Sequence, residues 1–162
     1  MLNCAILTIS DTRTAKTDES GAMLERRVIN AGHTCAGRFF SRDDVNELTE
    51  HLGALIEDPQ VNVILATGGT GITRRDITPE VISKLSTKEI PGFGELFRML
   101  SFKQIGTSTI QSRASAWLCE TTLVFALPGS PRAVQLAWDE ILESQLNQEH
   151  KPCNFVQLLP RL

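Results

Sequence analysis

The stretch "VNVILATGGTGITRRD", residues 61–76, decides the fold of this 162-residue chain. Its first six residues, 61–66, are almost all apolar, as in a strand that helices cover on both faces. Residues 67–71 then supply three glycines, and two arginines and an aspartate follow within five positions. A buried strand that runs directly into a glycine turn is typical of a parallel α/β sheet, in which ligands bind beyond the carboxyl ends of the strands.

Apolar runs and amphipathic stretches alternate along the rest of the chain. We predict a single domain with a three-layer α/β/α fold and a mainly parallel central sheet. The predicted strands are 5–9, 35–40, 61–66 and 122–127; the predicted helices start at Ser20-Gly21, Val45, Thr78, Pro91-Gly92 and Ser130-Pro131.

Three parts of this prediction are more specific. Thr78 is expected to cap its helix, with Pro79 at the first helical position. The less regular stretch 112–120 could form a small antiparallel strand. Residues 148–162, which include Pro152 and Pro160, are expected to form an extended C-terminal arm over the surface.

Composition excludes several classes of protein. At 41% apolar and 22% charged residues, with a net charge of −3, the chain has no overall positive field for nucleic acid. Its apolar runs are too short to cross a membrane. The four cysteines contain no C-x-x-C pair, which argues against zinc and favours reduced thiols. We therefore expect a cytoplasmic protein that binds neither nucleic acid nor membrane.

The glycine turn is a candidate phosphate-binding loop. Without side chains, Gly68, Gly69 and Gly71 let a phosphate approach the backbone, and consecutive N–H groups, including that of Thr70, can bind an anion. A plain strand-to-helix turn is the alternative. The motif is not a P-loop, which needs Gly-Lys-Ser/Thr, and Arg74 replaces the third glycine of a dinucleotide fingerprint.

Two further features could complete a nucleotide site. Asp76 lies beside the glycine turn, where a carboxylate suits a bound Mg²⁺ that also contacts phosphates; alternatively, it pairs with Arg74 or Arg75 or caps a short turn. The turn Pro128-Gly129-Ser130 also follows a strand and precedes a helix. Both turns could then flank one nucleotide at the same edge of the sheet.

A third polar cluster lies in "TSTIQSRA", residues 107–114. Ser112 and Arg113 place a hydroxyl next to a guanidinium, a combination suited to a terminal phosphate. A polar surface loop is the alternative for this segment. The three histidines are dispersed along the chain, so a Ser-His-Asp hydrolase has no support.

Taken together, these motifs resemble the MoaB/Mog family of molybdenum cofactor biosynthesis, and the run 92–114 is most similar to the MoaB branch. The resemblance covers nearly the whole chain, and the ordered combination is specific. Its parts are T-G-G-T-G at 67–71, R-D at 75–76, T-P-E at 78–80, P-G-F-G-E at 91–95, T-S-T-I-Q-S-R-A at 107–114 and L-P-G-S-P at 127–131.

The resemblance implies an activity, the adenylylation of molybdopterin by ATP with Mg²⁺ and release of pyrophosphate. It also implies roles for individual residues. The turns 68–71 and 128–130 would hold the nucleotide, while Ser112, Arg113 and Glu80 would bind the pterin substrate. Asp43 and Asp76 would be the catalytic and metal-binding acids. Asp44 is the alternative to Asp43.

The resemblance further implies a homotrimer, or a hexamer of two trimers, with a molybdenum insertase as a candidate partner. Trp117 and Phe102 are candidates for the subunit interface or for the core. Two alternatives to the enzyme remain open: a trimeric molybdopterin-binding homologue with little or no catalytic activity, and a nucleotide-sensing or scaffold module.

Overall fold

The computed structural model describes all 162 residues. A six-stranded sheet runs through the centre of the molecule in the order β2-β1-β3-β6-β5-β4. The strands are β1 (Asn3–Ile9), β2 (Thr34–Ser41), β3 (Val63–Thr67), β4 (Lys88–Glu89), β5 (Ser115–Cys119) and β6 (Thr122–Leu127). The first four strands in the spatial order are parallel, β5 runs antiparallel to β6, and β4 runs antiparallel to β5. The predicted mainly parallel sheet is confirmed.

Helices lie on both faces of the sheet. They are α1 (Glu19–Asn30), α2 (Val45–Glu57), α3 (Thr78–Leu85), α4 (Pro91–Ile105), α5 (Pro131–Ala137) and α6 (Glu143–Gln145). A π-helical turn, Trp138–Leu142, joins α5 to α6, and two 3-10 helices span Gly106–Gln111 and Leu159–Arg161. None of these helices is long and apolar enough to span a membrane.

Two apolar clusters define the outer layers. One face of the sheet packs against α1, α4 and α5 through residues such as Leu24, Phe97 and Val134. The other face packs against α2 and α3 through residues such as Leu52 and Ile82. Because both faces are covered, β3 and β6 are buried along their whole length. The three-layer prediction is therefore confirmed.

Some local predictions differ from the structure. The third strand begins at Val63 rather than Val61. The first helix begins at Glu19, because the buried Asp18 caps it by accepting a hydrogen bond from Gly21 N at 2.9 Å. Thr78 is not a cap: it is the first residue of α3, and its hydroxyl instead donates to the carbonyl oxygen of Gly68.

The C-terminal segment 148–162 does not extend over the surface as a straight arm. It folds through turns and ends in a 3-10 helix. Phe155 contacts Phe125 edge-on, with ring centroids 5.6 Å apart, and Asn154 is buried. The segment carries apolar side chains that lose contact with water by packing on the core, which explains why it folds back.

Two aromatic side chains differ in exposure. Trp117, on β5, is only 4% exposed and belongs to the core beneath α2 and α3. Phe102, on α4, is 55% exposed. Of the two candidate interface residues, only Phe102 is therefore available to a partner surface.

Candidate functional site

The carboxyl ends of β1 and β3 form the topological switch point of the sheet. From β1 the chain first adds β2 on one side and then β3 on the other. Loops therefore diverge at this edge and leave a crevice, the usual ligand position in open α/β sheets. A small polar cavity of about 140 Å³ lies there, lined in part by Thr8, Ser10, Asp18, Thr67 and Gly129.

The glycine turn at this edge has a backbone that only glycine adopts readily. Gly68 and Gly69 have φ angles of 111° and 61°, in the region that disfavours side chains. A Cβ on Gly68 would also collide with the carbonyl oxygen of Ile9, and one on Gly69 would collide with the hydroxyl of Thr78. The tight approach of this turn to β1 and α3 therefore requires both glycines.

The second turn, Pro128-Gly129-Ser130, packs against the glycine turn. Gly68 N donates to the carbonyl oxygen of Leu127 at 3.0 Å, and Thr67 Oγ1 donates to that of Pro128 at 3.1 Å. The Ser130 hydroxyl accepts from Ala133 N and caps α5. The structure thus brings together the two turns that the sequence predicted to be neighbours.

Two carboxylates lie over the glycine turn. Asp43 Oδ1 is 3.2 Å from the position that a Cβ of Gly69 would take, and Asp76 Oδ2 is 2.8 Å from the corresponding position at Gly71. Glycine at these positions therefore provides the space that the carboxylates occupy. Residues 33 positions apart in the sequence meet at one turn because β2 and β3 end at the same edge of the sheet.

Asp43, rather than Asp44, faces the turn. The Asp44 carboxylate caps α2 by accepting from Asn46 N and Glu47 N, both at 3.0 Å. Burial raises the pKa of the Asp43 carboxyl above its usual value, and the negative charge of Asp11 raises it further. Arg75 partly offsets this rise.

Asp76 is held by its own loop. Its Oδ2 accepts from the backbone N–H and the hydroxyl of Thr73, at 2.8 and 2.7 Å. Burial alone would raise the pKa of Asp76, but these hydrogen bonds, one from Gly71 N–H and the charge of Arg113 lower it below its usual value. Arg75 does not pair with Asp76; its guanidinium contacts the Asp11 carboxylate.

The acids do not form a complete metal site by themselves. Asp11, Asp43 and Asp76 influence one another through charge, yet no group of three or more His, Cys, Asp or Glu side chains converges to hold an ion. One or two carboxylates are nevertheless sufficient for Mg²⁺ when substrate phosphates supply further ligands. The donor set therefore fits a magnesium ion that binds together with a nucleotide.

Ser112 and Arg113 line a separate groove of about 470 Å³ between α4 and β5. Arg98, Glu95 and Trp117 line it too. The Ser112 hydroxyl accepts only a long hydrogen bond, 3.4 Å, from Ala114 N. It therefore keeps its own proton for a ligand, and Arg98 supplies a guanidinium at the same groove.

Arg113 connects this groove to the glycine turn. Its guanidinium donates to the carbonyl oxygens of Gly71 and Asp76, at 2.6 and 2.7 Å, and contacts the Glu80 carboxylate. Glu80, predicted to bind substrate, is therefore occupied by Arg113. Burial alone would raise the pKa of Glu80, but the hydrogen bond from Arg113 lowers it.

Two acidic residues at this edge were not predicted from the sequence. Asp18 accepts from Thr8 Oγ1 and pairs with Arg38, each at 2.8 Å, inside the small cavity at the switch point. Asp11 follows β1 at the same edge. The general preference of ligands for carboxyl ends of strands could have drawn attention to it. Arg98, one of several basic residues that could supply local positive charge for an anionic ligand, faces the groove from α4.

Fold and site together define a class of α/β protein that presents two adjacent glycine-containing turns and two carboxylates next to a polar groove. Sequence comparison agrees: residues 5–148 match the family model described as "Probable molybdopterin binding domain". The chain belongs to this family of molybdenum cofactor biosynthesis proteins, the MoaB/Mog family.

Named relatives and solved structures agree with this assignment. Molybdenum cofactor biosynthesis protein B of Escherichia coli K12 is 44% identical over 151 residues, which is 93% of this chain and 89% of that protein. The Bacillus subtilis protein of the same name is 42% identical, covering 90% and 86%.

Among solved structures, a molybdenum cofactor biosynthesis protein B superposes with a TM-score of 0.91 at 40% identity, covering 99% of this chain and 97% of that one. The tungsten cofactor synthesizing protein MoaB of Pyrococcus furiosus gives 0.80 at 33% identity, covering 90% and 92%.

Proposed function

We propose that this protein adenylylates molybdopterin, using Mg-ATP and releasing pyrophosphate. The observation that carries the proposal is the position of Asp43 and Asp76 over Gly69 and Gly71, in a turn that packs against a second glycine turn. Bare backbone suits phosphate, and two acids suit a cation that phosphate attracts. The proposal adds a defined reaction to the family's part in molybdenum cofactor biosynthesis.

The nucleotide would lie along the two turns. Backbone N–H groups at Gly69 and Thr70 would contact its phosphates, and the turn 128–130 would bound it on the other side. Gly68 N already donates to the Leu127 carbonyl oxygen and Gly71 N to the Asp76 carboxylate, so these two glycines would instead leave space for the phosphates. Asp43 and Asp76 would hold Mg²⁺, which when bound neutralises charge that develops on the transferring phosphoryl group.

Molybdopterin would occupy the groove of Ser112 and Arg98. Ser112 would donate a hydrogen bond to its phosphate end, and Arg98 would balance the charge. Arg113, expected from the sequence to bind the same phosphate, has each of its three guanidinium nitrogens bonded to the protein itself. Arg113 is therefore not free to bind that phosphate.

The groove and the turns are adjacent. Arg113 N donates to the Thr70 carbonyl oxygen at 2.9 Å, so residues 112–113 lie directly beside the glycine loop.

An oxygen of the pterin phosphate would bond to the α-phosphorus of ATP. The bond from that phosphorus to the bridging oxygen would break, and pyrophosphate would leave with the bonding electrons. The protein's part is to align the two phosphates.

The proposal includes a homotrimer, or a hexamer of two trimers, in the cytoplasm, where ATP is available. Exposed apolar side chains recur every three residues along α4, at Leu96, Met99, Phe102 and Ile105. They supply an apolar surface for a second copy. A molybdenum insertase would be the protein that receives the adenylylated pterin.

The test is direct. Purified protein is mixed with molybdopterin and Mg-ATP, and adenylylated pterin and pyrophosphate are both quantified. Stoichiometric formation of the two products supports the proposal. Tight molybdopterin binding without either product would identify a non-catalytic pterin-binding homologue instead. Binding of ATP without molybdopterin would favour a nucleotide-sensing or scaffold module.

A further inference from the structure

Arg113 makes an unusual set of contacts with one short loop. Its backbone N–H donates to the carbonyl oxygen of Thr70, Nε donates to that of Gly71, and Nη2 donates to that of Asp76. Nη1 contacts the carboxylate of Glu80 on α3. Arg113 therefore forms hydrogen bonds to both ends of the loop 70–76 and links the loop to the first turn of α3.

The loop depends on such support. Residues 72–75 are exposed and lie outside any helix or strand. Inside the loop, the hydrogen bonds join Thr73, Arg75 and Asp76 to one another, and Asp76 also accepts from Gly71 N–H. The guanidinium is a rigid planar fork whose donors point in fixed directions, so it can hold two carbonyl oxygens and a carboxylate at set distances. A lysine ammonium cannot reproduce that geometry.

We infer that Arg113 is a positioning residue: it fixes the conformation of the glycine loop, and thereby the position of the Asp76 carboxylate, so that both can bind the nucleotide. Glu80 orients the guanidinium by pairing with Nη1. Because Ser112 precedes Arg113 directly, the same backbone segment carries the pterin groove and the support of the nucleotide loop. The expected loss of turnover rests on the proposed function. The expected effect on the structure, a loop held in one conformation, does not depend on it.

The experiment compares Arg113→Lys and Glu80→Gln with wild type, and Arg26→Lys serves as the matched control. Arg26 is exposed on α1, and its side chain forms neither a hydrogen bond nor an ion pair. Limited trypsin digestion of the native proteins reports the loop, because trypsin cleaves after Arg74 and Arg75. We expect cleavage there to accelerate on the order of tenfold in Arg113→Lys, less in Glu80→Gln, and not in the control.

Binding and turnover complete the test. Molybdopterin affinity of Arg113→Lys should stay within about threefold of wild type, while kcat falls on the order of tenfold or more, as for residues that orient metal ligands. In Arg113→Ala, added guanidinium ion at millimolar concentration should restore part of the turnover and slow the trypsin cleavage.

Three outcomes would overturn the inference. Unchanged cleavage at Arg74 and Arg75 would show that Arg113 does not fix the loop. A large loss of molybdopterin affinity with normal kcat would make Arg113 a substrate ligand. Uniformly faster digestion at all sites in both Arg113→Lys and Glu80→Gln would show that Arg113 supports the whole fold and not this loop in particular. If wild type itself shows no turnover, the proposed function fails, while the trypsin comparison still decides the role of Arg113.

Discussion

The hydroxyl of Thr78 donates a hydrogen bond of 2.8 Å to the carbonyl oxygen of Gly68, and the backbone N–H of Thr78 donates to that of Gly69 at 3.1 Å. One fully buried residue at the start of α3 thus fixes the two glycines of this turn that have positive φ angles. The conformation of the turn that we propose for nucleotide phosphates therefore depends on a buried side chain that packs behind it.

Replacing Thr78 by Val should remove the hydroxyl at nearly constant volume. A buried acceptor left without its donor costs about 1–3 kcal/mol of unfolding free energy, and nucleotide affinity should fall as the turn relaxes. Thr78→Ser keeps the hydroxyl and should retain nucleotide affinity, at a cost of about 0.5–1.5 kcal/mol for the lost methyl group. Denaturant unfolding and ATP titrations of both variants check this. Equal nucleotide affinity in the two variants would contradict it.

Ser112→Ala should weaken molybdopterin binding far more than nucleotide binding. It removes one hydrogen bond to a charged group, an effect of roughly 1.5–3 kcal/mol, or about 10- to 150-fold in affinity. Titrations with molybdopterin and with Mg-ATP measure the two affinities separately. Equal losses for both ligands, or none for the pterin, would show that Ser112 has a different role.

Asp43→Asn should strongly reduce catalysis and yet stabilise the fold. Burial and the charge of Asp11 raise the pKa of Asp43, so its carboxylate form opposes folding. A carboxyl group whose pKa is higher in the folded than in the unfolded protein stabilises the fold at pH values below its unfolded-state pKa, here 3.8. That stabilisation is lost as the pH rises through the pKa of the folded state. At pH 7 the Asn variant should thus melt slightly above wild type, and the difference should vanish in acid.

Turnover of the same Asp43→Asn variant should fall at least about 100-fold, while molybdopterin affinity remains normal, because the amide lacks the charge that Mg²⁺ needs. Adenylyl transfer and thermal melting are both measured. Near-normal turnover at saturating Mg²⁺ would remove Asp43 from the catalytic site.

Asp76→Asn should behave differently in stability. Hydrogen bonds from Thr73 and Gly71 lower its pKa, so the charged form favours folding. The stabilisation by the charged form is present at pH values above the unfolded-state pKa of 3.8, and it is lost as the pH falls through the lower pKa of the folded state. The variant should thus melt below wild type at pH 7, with a smaller difference near pH 3.

In catalysis, Asp76→Asn should also lose at least about 100-fold in turnover if Asp76 holds the metal. A purely structural role predicts the lower melting temperature together with nearly normal turnover of the folded protein. Measuring melting and adenylyl transfer on one preparation decides between the two roles.

The exposed apolar side chains of α4 predict self-association. Sedimentation at micromolar concentration should give a trimer or a hexamer, and Phe102→Glu should shift the distribution toward monomer by placing a charge in an apolar contact. Lys103→Glu, one residue further along α4, is the matched control for added negative charge. A wild-type monomer would contradict the prediction.

The sequence by itself determined the layers of this fold and the place of its glycine turn. Fully apolar runs such as 63–66 have no polar face, so they must be covered on both sides, and amphipathic stretches must cover them. Local patterns of this kind depend only on neighbours along the chain. The proximity of the two glycine turns was predictable for a different reason: each follows a parallel strand, and the carboxyl ends of parallel strands lie at the same edge of a sheet.

Only the tertiary structure decided which polar side chains meet. Asp44 rather than Asp43 caps α2, Thr78 bonds to Gly68 rather than capping its own helix, and Arg113 contacts the loop of Asp76 across 37 residues of sequence. Hydrogen-bond partners depend on distances and directions fixed by packing of the whole sheet, and several acceptors compete for each donor. Composition and spacing place such groups at the same edge of the sheet, but the choice among partners is made by three-dimensional geometry.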